Sequence, residues 1–224
     1  MTLRNLALAP ALLALALSAP AQRSAPTGGG DAPAAKPADA ARPKLDPLPA
    51  DKSVAQTVTA GGKTLHYTAT VGTITLKAAD DKPTGDVTYI AYILDTPKDQ
   101  PHRPVTFALN GGPGASSVYL NLGAIGPKHI AFANEGDSPS DPATLTDNPG
   151  TWLDFTDLVF IDPIGTGFSR SLVDENETKK LFYGPTPDVQ YLSLVIYKWL
   201  VKNDRLLDKK YLIGESYGGY RGPR

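Results

Sequence analysis

The chain has 224 residues, 22 basic against 23 acidic side chains, and a net charge of −1 at pH 7. That balance argues against a nucleic-acid or anionic-membrane partner. The chain has no cysteine, so disulfides are excluded, and its three histidines show no metal-site spacing, so neither a metal nor another cofactor is expected.

Met1–Asn5 carries one positive charge and leads into the apolar stretch Leu6–Leu17, followed by the small residues Ala19-Pro-Ala21. This is the pattern of a secretory signal over residues 1–21. The stretch is short and interrupted by Pro10, which disfavours a membrane span; a buried helix is the alternative. Residues 22–52 are rich in Ala, Pro, Gly, Asp and Lys and poor in bulky apolar groups. Such a segment buries too little surface to order itself and reads as a flexible linker. The expected location is therefore secreted or periplasmic, with no membrane contact after signal cleavage.

Residues 53–224 read as one domain of about 170 residues, enough for a hydrophobic core. Val54–Thr59 and Lys63–Val71 flank Ala60-Gly-Gly62, a hairpin signal. Thr73–Leu76 and Asp86–Leu94 continue the alternation of Thr and Tyr with Val and Ile that suits antiparallel strands with one wet face. Pro104–Leu109 then predicts a strand feeding the glycine-rich turn Asn110-Gly-Gly-Pro-Gly-Ala-Ser-Ser117. A second apolar strand, Asp157–Ile161, exits into Asp162-Pro-Ile-Gly-Thr-Gly-Phe-Ser169. A wholly apolar run bounded by polar residues suits a parallel strand covered on both faces. Thr186-Pro-Asp starts a helix, with Thr186 as cap and Pro187 first, and Val189, Leu192, Val195, Ile196, Trp199 and Leu200 form its buried face. Tyr211-Leu-Ile213 is the last strand and reads as buried. The pattern strand, helix, strand predicts a right-handed crossover. The fold class is α/β, with antiparallel strands leading into a parallel sheet.

The last strand runs into Gly214-Glu-Ser-Tyr-Gly-Gly219, which contains Gly-x-Ser-x-Gly. A nucleophilic serine needs a sharp turn from strand to helix, and glycines two before and two after it let neighbouring backbone pass without a Cβ clash. By chance alone this pattern is common, and a glycine-rich turn without chemistry is its simpler reading. Its company gives it weight. Three glycine-rich loops, each after an apolar run, gather on one edge of a parallel sheet, where open α/β sheets place their sites. On this reading Ser216 is the nucleophile, and the amides of Gly112 and Tyr217 form the oxyanion hole. A phosphate-cradling loop would need a Gly-Lys-Ser/Thr ending or Gly-x-Gly-x-x-Gly, and the chain has neither.

The three blocks together, in this order and at this spacing, resemble the serine carboxypeptidase family, carboxypeptidase Y-like, over about residues 55–224. The Glu before the serine is the telling residue, since most lipases and esterases lack it. The resemblance implies an α/β-hydrolase fold, a peptide substrate, and a role for Asn110, Gly111 and Glu215 in holding the substrate's terminal carboxylate. Two positions depart from the family. Ala108 stands where eukaryotic members usually have Trp. Ala124 stands where they commonly have a Glu that shares a proton with the Glu beside the serine, an arrangement suited to acid conditions. Many secreted eukaryotic members carry disulfides, so a cysteine-free chain points to a bacterial, periplasmic member.

A serine nucleophile also needs a histidine base oriented by an acid, and α/β-hydrolases place them in the order Ser, Asp/Glu, His. His66, His102 and His129 all precede Ser216 and read as surface or loop residues; Asp157 and Asp162 read as loop-stabilising or solvated groups. The expectation is therefore an N-terminal part of a longer enzyme, inactive by itself, in which the nucleophile strand ends the sheet as an unpaired apolar edge. Three functions are open: a serine carboxypeptidase, a related esterase or proline iminopeptidase, and a non-catalytic binding protein with a hydrolase shell. Iminopeptidases usually have His before Gly-Gly-Pro-Gly and a later Asp-Gln-Arg-Gly; Asn110 and Asp162-Pro-Ile-Gly165 favour the first.

Overall fold

A computed structural model describes residues 45–97, 99–131 and 143–224. The chain divides into two units, Met1–Ala41 and Arg42–Arg224; all described residues belong to the second. The expected signal segment and most of the expected linker lie outside the described residues. Residues 45–51 lack regular structure but are tied to the domain. The Asp46 carbonyl accepts from Arg170, and Asp51 accepts from Tyr89 Oη at 2.8 Å, Lys202 Nζ at 2.5 Å and Thr73 N at 3.1 Å.

The first three strands are β1 (Lys52–Ala60), β2 (Lys63–Lys77) and β3 (Pro83–Leu94). Gly61 and Gly62 have φ of 55° and 72°, the conformation that a two-residue hairpin turn between twisted strands demands. The run Thr73–Leu76, expected as a strand of its own, is the second half of β2. Gly72 does not break that strand. It faces Tyr89, whose hydroxyl would lie 2.4 Å from a Cβ at that position. Here a missing side chain makes room for an aromatic ring.

The remaining strands are β4 (Val105–Leu109), the pair β5 (Lys128–Ala131) and β6 (Thr144–Asp147), then β7 (Asp157–Ile161), β8 (Arg170–Ser171) and β9 (Lys210–Gly214). The main sheet has the order β1-β2-β3-β7-β4-β9, with β8 also on β3. Pairing is antiparallel from β1 through β7 and parallel across β7, β4 and β9. The side-chain period of two splits the core into two layers. Phe107, Leu109, Val159 and Ile161 face one layer with Leu192, Val195 and Trp199; Ala108, Leu158 and Phe160 face the other with Tyr92, Leu120 and Leu153. Trp199 stands edge-on to Phe107 at 5.4 Å between ring centroids, a favoured aromatic geometry.

Four α-helices are described: α1 (Val118–Leu120), continued by a π-turn over Asn121–Ile125; α2 (Glu175–Phe182); α3 (Pro185–Lys202); and α4 (Tyr217–Arg221), and a 3-10 turn spans Trp152–Asp154. α3 starts earlier than the sequence suggests. Gly184 at φ 107° occupies the cap position and Thr186 lies inside the helix, with Pro185 in the first turn where its missing N–H costs nothing. Its buried face is otherwise as expected, with Val189 and Ile196 half-buried. The expectation of a buried last strand is not met. β9 pairs only with β4 among the described strands, and Tyr211 and Leu212 are 56% and 41% exposed. An apolar run predicts burial only if a neighbour covers it, and the described residues supply one on one side alone.

Candidate active site

Strands β4, β7 and β9 run parallel, so the turns that follow them share one sheet edge. Ser216 sits between β9 and α4 with φ 55° and ψ −120° and is exposed. For a residue with a Cβ this is a strained conformation, of a kind that persists only where surrounding structure imposes it. The surroundings are tight. A Cβ on Gly214 would lie 2.0 Å from the Gly218 carbonyl oxygen, and one on Gly218 would lie 2.1 Å from that of Leu109. Both flanking glycines are thus required by backbone passing backbone. Glu215 N donates to Leu109 O at 3.1 Å, and Gly218 N and Gly219 N donate to Glu215 O and Ser216 O.

The turn after β4 packs against this elbow. A Cβ on Gly111 would lie 2.4 Å from Tyr217 N and 2.8 Å from Ser216 Cβ. Gly112 has φ 110°, and Ala115 N closes the turn onto Gly111 O. Among the described residues neither Gly112 N–H nor Tyr217 N–H donates to a backbone acceptor. Asn110 is completely buried; its Oδ1 accepts from Leu120 N at 2.9 Å and its Nδ2 donates to Glu215 Oε2 at 3.1 Å. Glu215 itself is exposed. The residues singled out in the sequence, Asn110, Gly111, Gly112, Glu215, Ser216 and Tyr217, therefore come from two distant segments into one cluster.

The turn after β7 closes the third side. Ser117 Oγ donates to Ile161 O at 2.5 Å, and Ser117 N donates to Asp162 Oδ1 at 2.8 Å. Burial pushes the Asp162 carboxyl above its ordinary range, and the bond from Ser117 N only partly offsets this. A cleft of about 410 Å³ lies between the loops, lined by Pro113, Pro163, Ile164, Phe182, Tyr183 and Tyr217 among others.

Among the described residues no histidine hydrogen-bonds Ser216. His66 is exposed on β2, His102 precedes β4 and faces Asp208 at 3.3 Å, and His129 on β5 bonds Thr146 at 3.0 Å. Asp157 is not solvated. It is buried beside Arg103 and Arg205 at the start of β7, at the opposite sheet edge. Ala124 lies exposed in the π-turn, so its position offers Glu215 no carboxyl partner. No group of three or more His, Asp or Glu among the described residues could hold a metal ion. Ser117, Asp188 and Arg221 were not singled out in the sequence. Ser117 sat unmarked inside a motif, and Asp188 and Arg221 pair across 33 positions, a relation without a local signature.

A mixed sheet whose parallel strands end in a glycine-rich turn and a strained strand–Ser–helix elbow defines an α/β-hydrolase fold. The chain belongs to the serine carboxypeptidase family, whose model matches residues 82–224. It is 36% identical over 121 residues to the pheromone-processing carboxypeptidase KEX1 of Tuber melanosporum, covering 51% of this chain and 16% of that protein. It is also 36% identical over 135 residues to serine carboxypeptidase-like 26 of Arabidopsis thaliana, covering 57% and 27%. The crystal structure of KEX1(delta)P, a prohormone-processing carboxypeptidase from Saccharomyces cerevisiae, superposes with a TM-score of 0.55 at 28% identity, over 70% of this chain and 32% of that one. The chain thus spans between 16 and 32% of the length of these three proteins.

Proposed function

We propose that this chain carries the nucleophile and oxyanion hole of a serine carboxypeptidase that cleaves C-terminal peptide bonds through an acyl-enzyme on Ser216. The observation that carries the reading is the exposed Ser216 at positive φ with the Gly111 backbone packed against it. In the proposed step Ser216 Oγ attacks the scissile carbonyl carbon and loses its proton to a histidine. The tetrahedral oxyanion accepts from Gly112 N and Tyr217 N, donors fixed before charge develops. Collapse expels the amine, which takes that proton back from the histidine. Water, deprotonated in turn by the histidine, later releases the acyl group and restores the serine hydroxyl. Gly111 and Glu215 border the place for the terminal carboxylate, with Asn110 orienting Glu215 from beneath. The histidine and its acid are assigned to sequence equivalent to the remainder of the longer relatives. The signal pattern supports secretion or a periplasmic location; no described helix is long and apolar enough to cross a membrane.

Ala124 favours a second reading. Without a carboxyl neighbour Glu215 lacks a proton-sharing partner there, which suits an esterase or another hydrolase that does not read a free carboxylate. The deciding experiment is fluorophosphonate labelling of this chain and of the gene extended to its natural stop codon. Labelling of the longer protein at Ser216, lost in Ser216→Ala, is expected; an unlabelled longer protein sinks the catalytic reading. Hydrolysis of blocked dipeptides with free rather than amidated C-termini then separates the carboxypeptidase from the esterase.

A further inference from the structure

Arg221, at the end of α4, is only 5% exposed, and its guanidinium is engaged on three sides. Nε and Nη2 donate to the two oxygens of Asp188 on α3, at 2.7 and 3.2 Å. Nη1 donates to the Asn110 backbone carbonyl at 2.7 Å. The guanidinium carbon stands 4.9 Å from the centre of the Tyr217 ring. One turn along α3, Tyr191 Oη accepts from Ile164 N at 3.1 Å, so the first turns of α3 bond the loop after β7 directly and the loop after β4 through Arg221.

Such a pair is expensive to bury, and burial of ions is by itself weak evidence of stabilisation. What it does specify is geometry. The guanidinium is a rigid planar fork whose bonds point in fixed directions. With one edge locked on Asp188, an Nη1 N–H holds the Asn110 carbonyl in one place. The peptide planes of Gly111 and Gly112 continue from that carbonyl, and any side chain on Gly111 would strike Tyr217 N. The same side chain abuts the ring of Tyr217, whose amide is the other proposed donor. A lysine carries the charge but cannot bridge Asp188 and Asn110 in one plane.

We propose that Arg221 is a positioning residue: anchored on Asp188, it latches the Asn110 carbonyl to the elbow and so sets the spacing between the Gly112 and Tyr217 amides. The catalytic half of this inference rests on the reading of Ser216 as nucleophile; the latch itself does not. The test uses protein expressed from the complete natural gene, as wild type, Arg221→Met and Arg221→Lys. Arg221→Met is expected to slow phosphonylation of Ser216 and to lower kcat on the order of 100-fold with KM nearly unchanged, the penalty of a misplaced catalytic group. Deuterium uptake should rise in peptides covering Asn110–Ser117 and not in those covering β3 and β7. Arg221→Lys should recover folding stability but little of the rate.

Wild-type rates with unchanged uptake in Arg221→Met would overturn the proposal. So would uptake that rises uniformly with a matching fall in Tm, because that marks a merely structural residue. Should the wild type fail to label, the serine-hydrolase reading falls, while selective uptake at Asn110–Ser117 still decides whether the latch exists.

Discussion

The parallel strands carry a buried Arg–Asp arrangement at each end, and the two do different work. At the amino-terminal edge Asp157 accepts from Arg103, Arg205 and Leu94 N, while Arg205 and Arg103 reach on to the carbonyls of Arg103 and Leu153. These partners are residues just before or at the start of β4 and β7, the end of β3, and the segment before β9, so the network holds strand beginnings in register. At the carboxyl-terminal edge Arg221 holds Asp188 and the Asn110 carbonyl beside Ser216. Both networks satisfy buried charge with multiple hydrogen bonds. In an α/β sheet, loops at the carboxyl ends of strands surround the site, so equal chemistry tightens packing at one edge and aligns proposed catalytic groups at the other.

That contrast can be broken deliberately. The largest stability effect is expected for Arg205→Met, which removes the better-buried partner of Asp157 and should cost on the order of 3 kcal/mol in denaturant unfolding. The folded fraction of that variant should phosphonylate at the wild-type rate; a slowed rate would erase the distinction between the two edges. A smaller, pH-dependent effect is expected for Asp162→Asn. Burial raises the Asp162 carboxyl from its ordinary 3.8, so its protonated form favours the fold. That contribution is complete below 3.8 and is lost as pH rises through the raised folded value. The neutral variant keeps an acceptor for Ser117 N and should therefore gain on wild type, by on the order of 1 kcal/mol, as pH rises above 3.8, and keep that gain at neutral pH. A difference that is flat with pH would show that this carboxyl is not burdened by its site.

The smallest effect is expected at Asp51. Burial would raise its carboxyl, but hydrogen bonds from Lys202, Tyr89 and Thr73 N outweigh burial and hold it below its ordinary range. Its contribution is present above 3.8 and is lost as pH falls through the lowered value. Asp51→Asn should cost a few tenths of a kcal/mol at neutral pH, because the group is partly solvated and screened, with the deficit fading in acid. A deficit that persists in acid would assign the tether to shape rather than charge.

Much of this architecture is legible along the chain. Ala60-Gly-Gly62 specifies its hairpin locally, because glycine at both central residues supplies the positive φ of a turn that matches the strand twist. The apolar period along α3 finds the face that meets Phe107 through Trp199. The glycines around Ser216 announce a close backbone approach. Other features needed neighbours. Gly72 reads as a strand break until Tyr89 is seen to fill its place. Tyr211 and Leu212 read as buried because apolarity reports preference for cover, while cover is supplied by other elements. Gly184 takes the cap of α3 from Thr186 because the turn entering the helix demands φ 107°.

The sequence by itself determined the strands that became β1 to β4, β7 and β9, the helix α3, the three glycine-rich loops, and Asn110, Gly111, Gly112, Glu215 and Tyr217 as neighbours of Ser216, since these depend on local sterics and residue periodicity. Tertiary structure alone decided that Asn110 is enclosed while Glu215 is exposed, that Ser117 and Asp162 knit two loops, and that Arg221 clamps Asp188 and Asn110 across 33 and 111 positions. Hydrogen bonds between side chains distant in sequence depend on where the folded backbone carries them, and no local pattern of residues encodes that meeting.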